Sequence, residues 1–337
     1  MDFVMLPKKQ NIWVNLALSL TVFILIFAVL EISARIVIAK RYGKADAGLH
    51  WKYNYEPYVI TKINDIFKQQ YPPKSAKIRL VIIGGSAAQS LVNELFEQEL
   101  RDKFAVNAEV INLSQGGHIS NQELIILTLY GISLQPDIII SIDGSNDIMS
   151  AMKSRTPSVP YTNTYAELAM NRPFANFFFG IIRNSQFANA INKFKQRPRE
   201  ISAMQDSALW EAILDNYLNM LNSAAVIAKG LEAKYLIVLQ PYIEFKTPLT
   251  EAERNLPGRK SHFYRLKFVS KLLNRMKRRI ETHSFPGETV FLDGSEAFEN
   301  CAQNYFCDEV HLYDDGRAYL VDYICQKLHD LNWIKPE

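Results

Sequence analysis

A chain of 337 residues has room for one large domain or two small ones. Its hydrophobic content of 48% supports a sizeable core, and a formal charge of only +3 gives no case for a nucleic-acid partner. In chain order, residues 1–11 read as an N-terminal tail and 12–34 as a transmembrane anchor. Ile12 to Leu30, "IWVNLALSLTVFILIFAVL", carries no charged residue, and about 20 apolar residues cross a bilayer core. The run is too long for the core of a secretory signal, and no small-x-small cleavage site follows it. Lys8 and Lys9 precede the span, and Arg35, Lys40, Arg41 and Lys44 follow it. That balance leans slightly towards a cytoplasmic C-terminal part and does not settle the orientation.

Residues 35–76 are polar and mixed and end near Tyr71-Pro72-Pro73, as a stalk or lead-in segment would. From 77 to 334 the chain alternates. Five apolar, β-branched runs read as buried strands: Ile78–Ile83, Ala108–Leu113, Asp137–Ile142, Lys234–Leu239 and Thr289–Leu292. Helical spacings lie between them, at Leu91, Leu95, Leu100 and Phe104 and again at Val321, Ile324, Cys325 and Leu328. Continuous apolar strands alternating with helices predict an α/β doubly wound fold of about five parallel strands. Residues 148–230 interrupt the alternation and read as a cap-like insertion. Its aromatic run "RPFANFFFG", Arg172 to Gly180, reads as internal packing rather than a substrate contact.

In an open parallel sheet, ligands sit beyond the carboxyl ends of the strands. Those ends carry Gly84-Gly85-Ser86, then "NLSQGGHIS" from Asn112 to Ser120, then "DGSND" from Asp143 to Asp147, then Gln240-Pro241, and later "CDEVHLYDDG" from Cys307 to Gly316. The first turn lacks both the P-loop and the dinucleotide glycine patterns, so no cofactor is expected. The G-x-S-x-G elbow is absent too, because Ala88 stands where its second glycine would be. A serine hydroxyl remains. It needs an adjacent base that a carboxylate orients, and Asp308-Glu309-Val310-His311 offers a carboxylate and an imidazole three residues apart.

Taken in order, this set resembles the SGNH hydrolase family, the GDSL-type esterases. The resemblance covers roughly Lys77 to Leu331. It implies a flavodoxin-like three-layer α/β/α sandwich. Ser86 matches the nucleophile, His311 the base and Asp308 its orienting carboxylate, with Asp314 or Asp315 as the alternative orienter. Gly117, chosen over Gly116, and Asn146 match oxyanion donors, together with the N–H of Ser86. The chain departs from the family at Gly85, where an aspartate usually precedes the nucleophile. His118 follows Gly117 and reads as a partly exposed loop histidine rather than a wall of the site. Asp147 and Glu309 read as solvated or capping groups.

The resemblance implies a membrane-anchored, extracytoplasmic serine esterase. Its ester substrate would be an acylated, in particular acetylated, envelope or exported polysaccharide. The alternatives are a lipid esterase, lysophospholipase or thioesterase, and a non-catalytic glycan-binding or assembly module on the same fold. Cys301 and Cys307 enclose a short loop and are either a disulfide, which an oxidising compartment permits, or two small buried thiols. No cysteine spacing fits a metal site. The basic stretch Arg254 to Arg279 reads as a solvated helix face, with anionic lipid or another polyanion as the sharper alternative. The oligomeric state is left open.

Overall fold

The computed structural model describes residues 12–42, 74, 78–157, 201–256, 259 and 263–336. Residues 43–73 and 75–76 of the stalk and the aromatic run of the insertion lie outside these, and residues 35–42 continue the N-terminal helix. The chain divides into two compact units, one holding the N-terminal helix and the other the α/β domain.

In the first unit, α1 runs from Ile12 to Tyr42. Leu18, Phe23, Leu25 and Val29 on it are exposed. Among the described residues no helix is long and apolar enough to cross a membrane. The described side chains of α1 are those of 17–33 and 36.

In the second unit a five-stranded sheet has the order β2-β1-β3-β4-β5, with every neighbouring pair parallel. The strands are β1 (Ile78–Gly84), β2 (Ala108–Asn112), β3 (Ile138–Asp143), β4 (Lys234–Leu239) and β5 (Thr289–Asp293). Each of the five expected strands is present, with ends shifted by one residue at most. The order is the flavodoxin-like one, with its topological switch point between β1 and β3.

The described helices of this unit include α2 (Ser86–Gln89), α3 (Asn93–Phe104), α4 (Ser120–Ile126), α5 (Ser145–Ser154), α6 (Ser207–Gly230), α7 (Phe263–Thr282) and α8 (Asp314–Asp330), and a further short helix spans Glu251–Arg254. Successive strand residues point to opposite faces, so each strand feeds two cores. Val81, Ile83, Ile139, Ile237 and Leu239 join buried residues of α4, α5, α6 and α7. Leu80, Ile82, Ile138, Ile140, Ile142, Leu236 and Val238 join α3 and α8. The strands read as unbroken apolar runs because helices cover both sides.

Several basic residues of α7 are engaged locally. Arg275 and Arg279 pair with Glu211, Arg279 also with Asp215, Lys277 with Asp293 and Glu296 (2.9 Å each), and Lys267 with Glu244 at 2.7 Å. These pairs favour the solvated-face reading over a polyanion site. Cys301 and Cys307 are free thiols in this structure, the second of the two alternatives their spacing left open. Cys301 Sγ lies 3.6 Å from both the Ala297 carbonyl and the Tyr319 hydroxyl, whereas Cys307 Sγ lies 3.4 Å from the His311 carbonyl. The two sulfurs serve different partners.

Candidate active site

The site forms where β1, β2 and β3 end. β1 delivers the chain to Gly84-Gly85, and Ser86 opens α2. Ser86 lies half-buried at the helix start. Its Oγ is 2.7 Å from His311 Nε2, and His311 Nδ1 is 2.6 Å from Asp308 Oδ2. Asp308 is fixed in turn, because its Oδ1 accepts the backbone N–H groups of Val310 (2.8 Å) and His311 (2.7 Å). A three-residue spacing suits this arrangement, since one carboxylate both closes the loop and orients the ring. Asp314 pairs with Arg317 instead, and His311 Nδ1 faces Asp308.

Burial pulls the pKa of Asp308 upward, but the hydrogen bond and charge of His311 outweigh it and hold the carboxyl below its usual range. For His311, burial pulls downward, and the Asp308 hydrogen bond and charge win, raising the imidazole above its ordinary 6.5. Nearby, Glu309 is half-buried and pairs with Arg265 at 2.7 Å, so it is ion-paired rather than simply solvated.

The loop before Asp308 is braced from below. Lys246 Nζ meets Glu253 Oε2 at 2.6 Å, with both side chains fully buried. Glu253 Oε1 accepts the N–H groups of Tyr305 (3.1 Å) and Phe306 (3.2 Å). A buried ion pair survives only when further hydrogen bonds satisfy its charges, and here those bonds hold the segment that leads into Asp308.

The expected oxyanion donors lie at adjacent strand ends. Gly117 has φ +80°, a left-handed conformation that favours glycine. It is exposed, and a Cβ built there would meet nothing within 4 Å. Asn146, in the first turn of α5, donates one Nδ2 hydrogen to the His118 carbonyl at 2.9 Å. The second hydrogen of that amide remains for another acceptor. The N–H groups of Ser86 and Gly117 meet no acceptor among the described residues.

Several residues that complete this arrangement do not stand out in the sequence. Gln89, one helical turn beyond Ser86, accepts the Gly116 N–H at 2.9 Å, which fastens the Gly117 loop to the serine helix. Asn112 does the same lower down, donating to the carbonyls of Ala88 (2.8 Å) and Leu91 (2.7 Å). Gly85 is required by its neighbour: a Cβ there would come within 3.0 Å of Asn146 Nδ2. The bare Cα of Gly85 leaves room for the Asn146 amide.

Two expectations need correction. His118 is not a partly exposed loop residue. It is fully buried, burial pushes its imidazole down to about 3, and its carbonyl holds Asn146. Asp147 is not solvated. It is 1% exposed and accepts from Ser120 Oγ at 2.5 Å and Ser120 N at 3.2 Å, so only its capping role stands.

Chemically, a serine hydroxyl on a neutral imidazole, with a carboxylate behind the ring, can lose its proton as it attacks an acyl carbon. N–H groups aimed into the same corner can hold the oxygen that becomes negative. Among the described residues no group of side chains is arranged to hold a metal.

No family model matches the chain, and no curated protein does. Some solved structures are similar to it at a low level. One is a GDSL-like lipase from Bacteroides thetaiotaomicron, with 16% identity, a TM-score of 0.44, and coverage of 79% of this chain and 95% of that one. Another is a catalytic mutant of an acetylxylan esterase from Geobacillus stearothermophilus, with 13% identity, a TM-score of 0.42, and coverage of 76% and 96%. At this level of likeness neither an activity nor a substrate passes from them to this chain. The fold and site define an α/β protein of flavodoxin-like strand order with a Ser–His–Asp set at its carboxyl edge.

Proposed function

We propose that this chain is a serine ester hydrolase of the SGNH type, anchored by its N-terminal helix and acting on an acyl ester, in particular acetate, carried by a polysaccharide. The observation that carries the reading is the unbroken run of contacts from Ser86 Oγ through His311 to Asp308. It lies at the strand ends that also carry Gly117 and Asn146. In this mechanism His311 takes the Ser86 proton as Oγ attacks the carbonyl carbon. Asn146 and the N–H groups of Ser86 and Gly117 hold the oxyanion. The protonated His311 then gives its proton to the leaving alcohol. Water, or a sugar hydroxyl, releases the acyl group from Ser86 by the same steps in reverse.

Two features support a bulky carrier. The donor corner at Gly117 opens to solvent, and Ser86 and His311 are half-exposed, so a polymer can reach them without being enclosed. The anchor reading rests on the charge-free run Ile12–Leu30, which lies inside a 31-residue helix. On this reading the site faces outside the cytoplasm. The hydrolase domain is 77–334, joined to the anchor by the 35–76 segment.

The test is hydrolysis of p-nitrophenyl esters of increasing chain length and of acetylated against de-acetylated glycan. A preference for acetate with release from the glycan supports the reading. A preference for long acyl chains favours the lipid esterase instead. Glycan binding without turnover favours a binding module.

A further inference from the structure

Behind Asn146 lies a buried acidic cluster. Glu123 on α4, Asp143 at the end of β3 and Asp147 on α5 are each 2% exposed or less. The titratable groups facing Glu123 are Asp143, Asp147 and Tyr235 of β4, and Tyr217 of α6 faces Asp143 and Asp147. From β1 the face carries only Val81 and Ile83. No cation enters. Three buried carboxylates without a cation cannot all ionise, because each buried charge without a partner costs several kcal/mol.

The donors decide which one stays neutral. Asp147 accepts both the N–H and the hydroxyl of Ser120. Asp143 Oδ1 accepts the Tyr217 hydroxyl. The Tyr235 hydroxyl is turned to Ser141 Oγ at 2.9 Å. Both oxygens of Glu123, and Oδ2 of Asp143, meet no donor among the described residues. The two carboxyls are in contact with each other, so the group that can satisfy both is a proton between them.

We propose that Glu123 is held as the neutral acid, donates its proton to Asp143, and thereby acts as a positioning residue for Asn146. This rests on the ester-hydrolase reading above. The path to the site is short. Asn146 stands between Asp143 and Asp147 in sequence, and both are pinned to α4, one by Glu123 and the other by Ser120. The Gly144–Ser145 turn is held further by Gln240, whose Nε2 donates to Ser145 Oγ at 2.7 Å and whose N–H meets the Asp143 carbonyl at 3.0 Å. Burial and the Asp143 charge raise the pKa of Glu123 far above a normal carboxyl. Burial also raises Asp147, to about 7. Ionising Glu123 puts two facing anions behind the amide and pushes the turn apart, so turnover falls on the alkaline side.

The experiment compares full-length wild type with Glu123→Gln, following kcat and KM for p-nitrophenyl acetate from neutral to alkaline pH. The glutamine amide donates to Asp143 at every pH. The expected result is a wild-type kcat that falls at least about tenfold at high pH with KM little changed, and a glutamine variant that lacks this alkaline limb. A folded Glu123→Gln protein that keeps the limb, or that is inactive at neutral pH, overturns the proposal. Infrared spectroscopy of the wild type needs neither the variant nor turnover. A protonated-carboxyl band must persist at about pH 8, a range documented for buried glutamic acids and above that of Asp147. Its absence refutes the shared proton. A protein that shows the band but no turnover refutes the hydrolase reading instead.

Discussion

Gly85→Ala is expected to disable the site while leaving the fold nearly intact. The new methyl would come within 3.0 Å of Asn146 Nδ2, well inside ordinary van der Waals contact. Backbone at Gly85 (φ −84°) tolerates alanine, so the strain falls on the Asn146 amide, the end of a short side chain held by the His118 carbonyl. Relief requires that amide to move on the order of 1 Å, and a displacement of that size can cost about 100-fold in rate. Loss of one oxyanion donor costs about 2.7–4 kcal/mol, or about 10²–10³-fold in kcat. The assay is a double-mutant cycle with Asn146→Ala, read by kcat for p-nitrophenyl acetate and by thermal unfolding. If both substitutions remove the same donor, the double variant is little worse than either single one. A Gly85→Ala enzyme within about threefold of wild type, or two losses that simply multiply, would refute the seating of Asn146 on Gly85.

Asp308→Asn should lower kcat on the order of 10³–10⁴-fold, because the ring loses the carboxylate that fixes its tautomer. It should also move the acid limb of the pH–rate profile. His311 must be neutral to act as base, and Asp308 raises its pKa above 6.5, so wild-type activity falls as pH drops through that raised value. The variant's limb should lie at lower pH, as stopped-assay pH profiles will show. Lys246→Met strips the partner from the fully buried Glu253 and should cost about 3–5 kcal/mol of stability in urea unfolding, with reduced activity because the Tyr305–Phe306 anchor of the Asp308 loop weakens.

The strands were legible because each is an apolar run buried on both faces, and the boundaries slip by one residue at glycine or polar ends such as Gly84, Asp143 and Asp293. Ser86, Gly117, Asn146, Asp308 and His311 were legible as residue types in short motifs whose order matches the strand ends. Gly85, Gln89 and the His118 carbonyl were not. Their contacts join different strand ends, and no local spacing records which side chain leans on which backbone. His118 and Asp147 were misjudged as accessible because polar residues in glycine-rich loops usually meet water. Here the β2–α4 and β3–α5 loops pack against each other and bury both. The Cys301–Cys307 spacing permits a bridge, but the chain turns each thiol to a different carbonyl.

The most direct test of the central claim is covalent labelling of the full-length chain with a fluorophosphonate, wild type beside Ser86→Ala, with the modified peptide identified by mass spectrometry. One adduct on Ser86 in the wild type, none in the variant, and parallel loss of ester turnover are the predicted result. A folded wild type that stays unlabelled, or a label and turnover that survive Ser86→Ala, would contradict the assignment of Ser86 as the nucleophile.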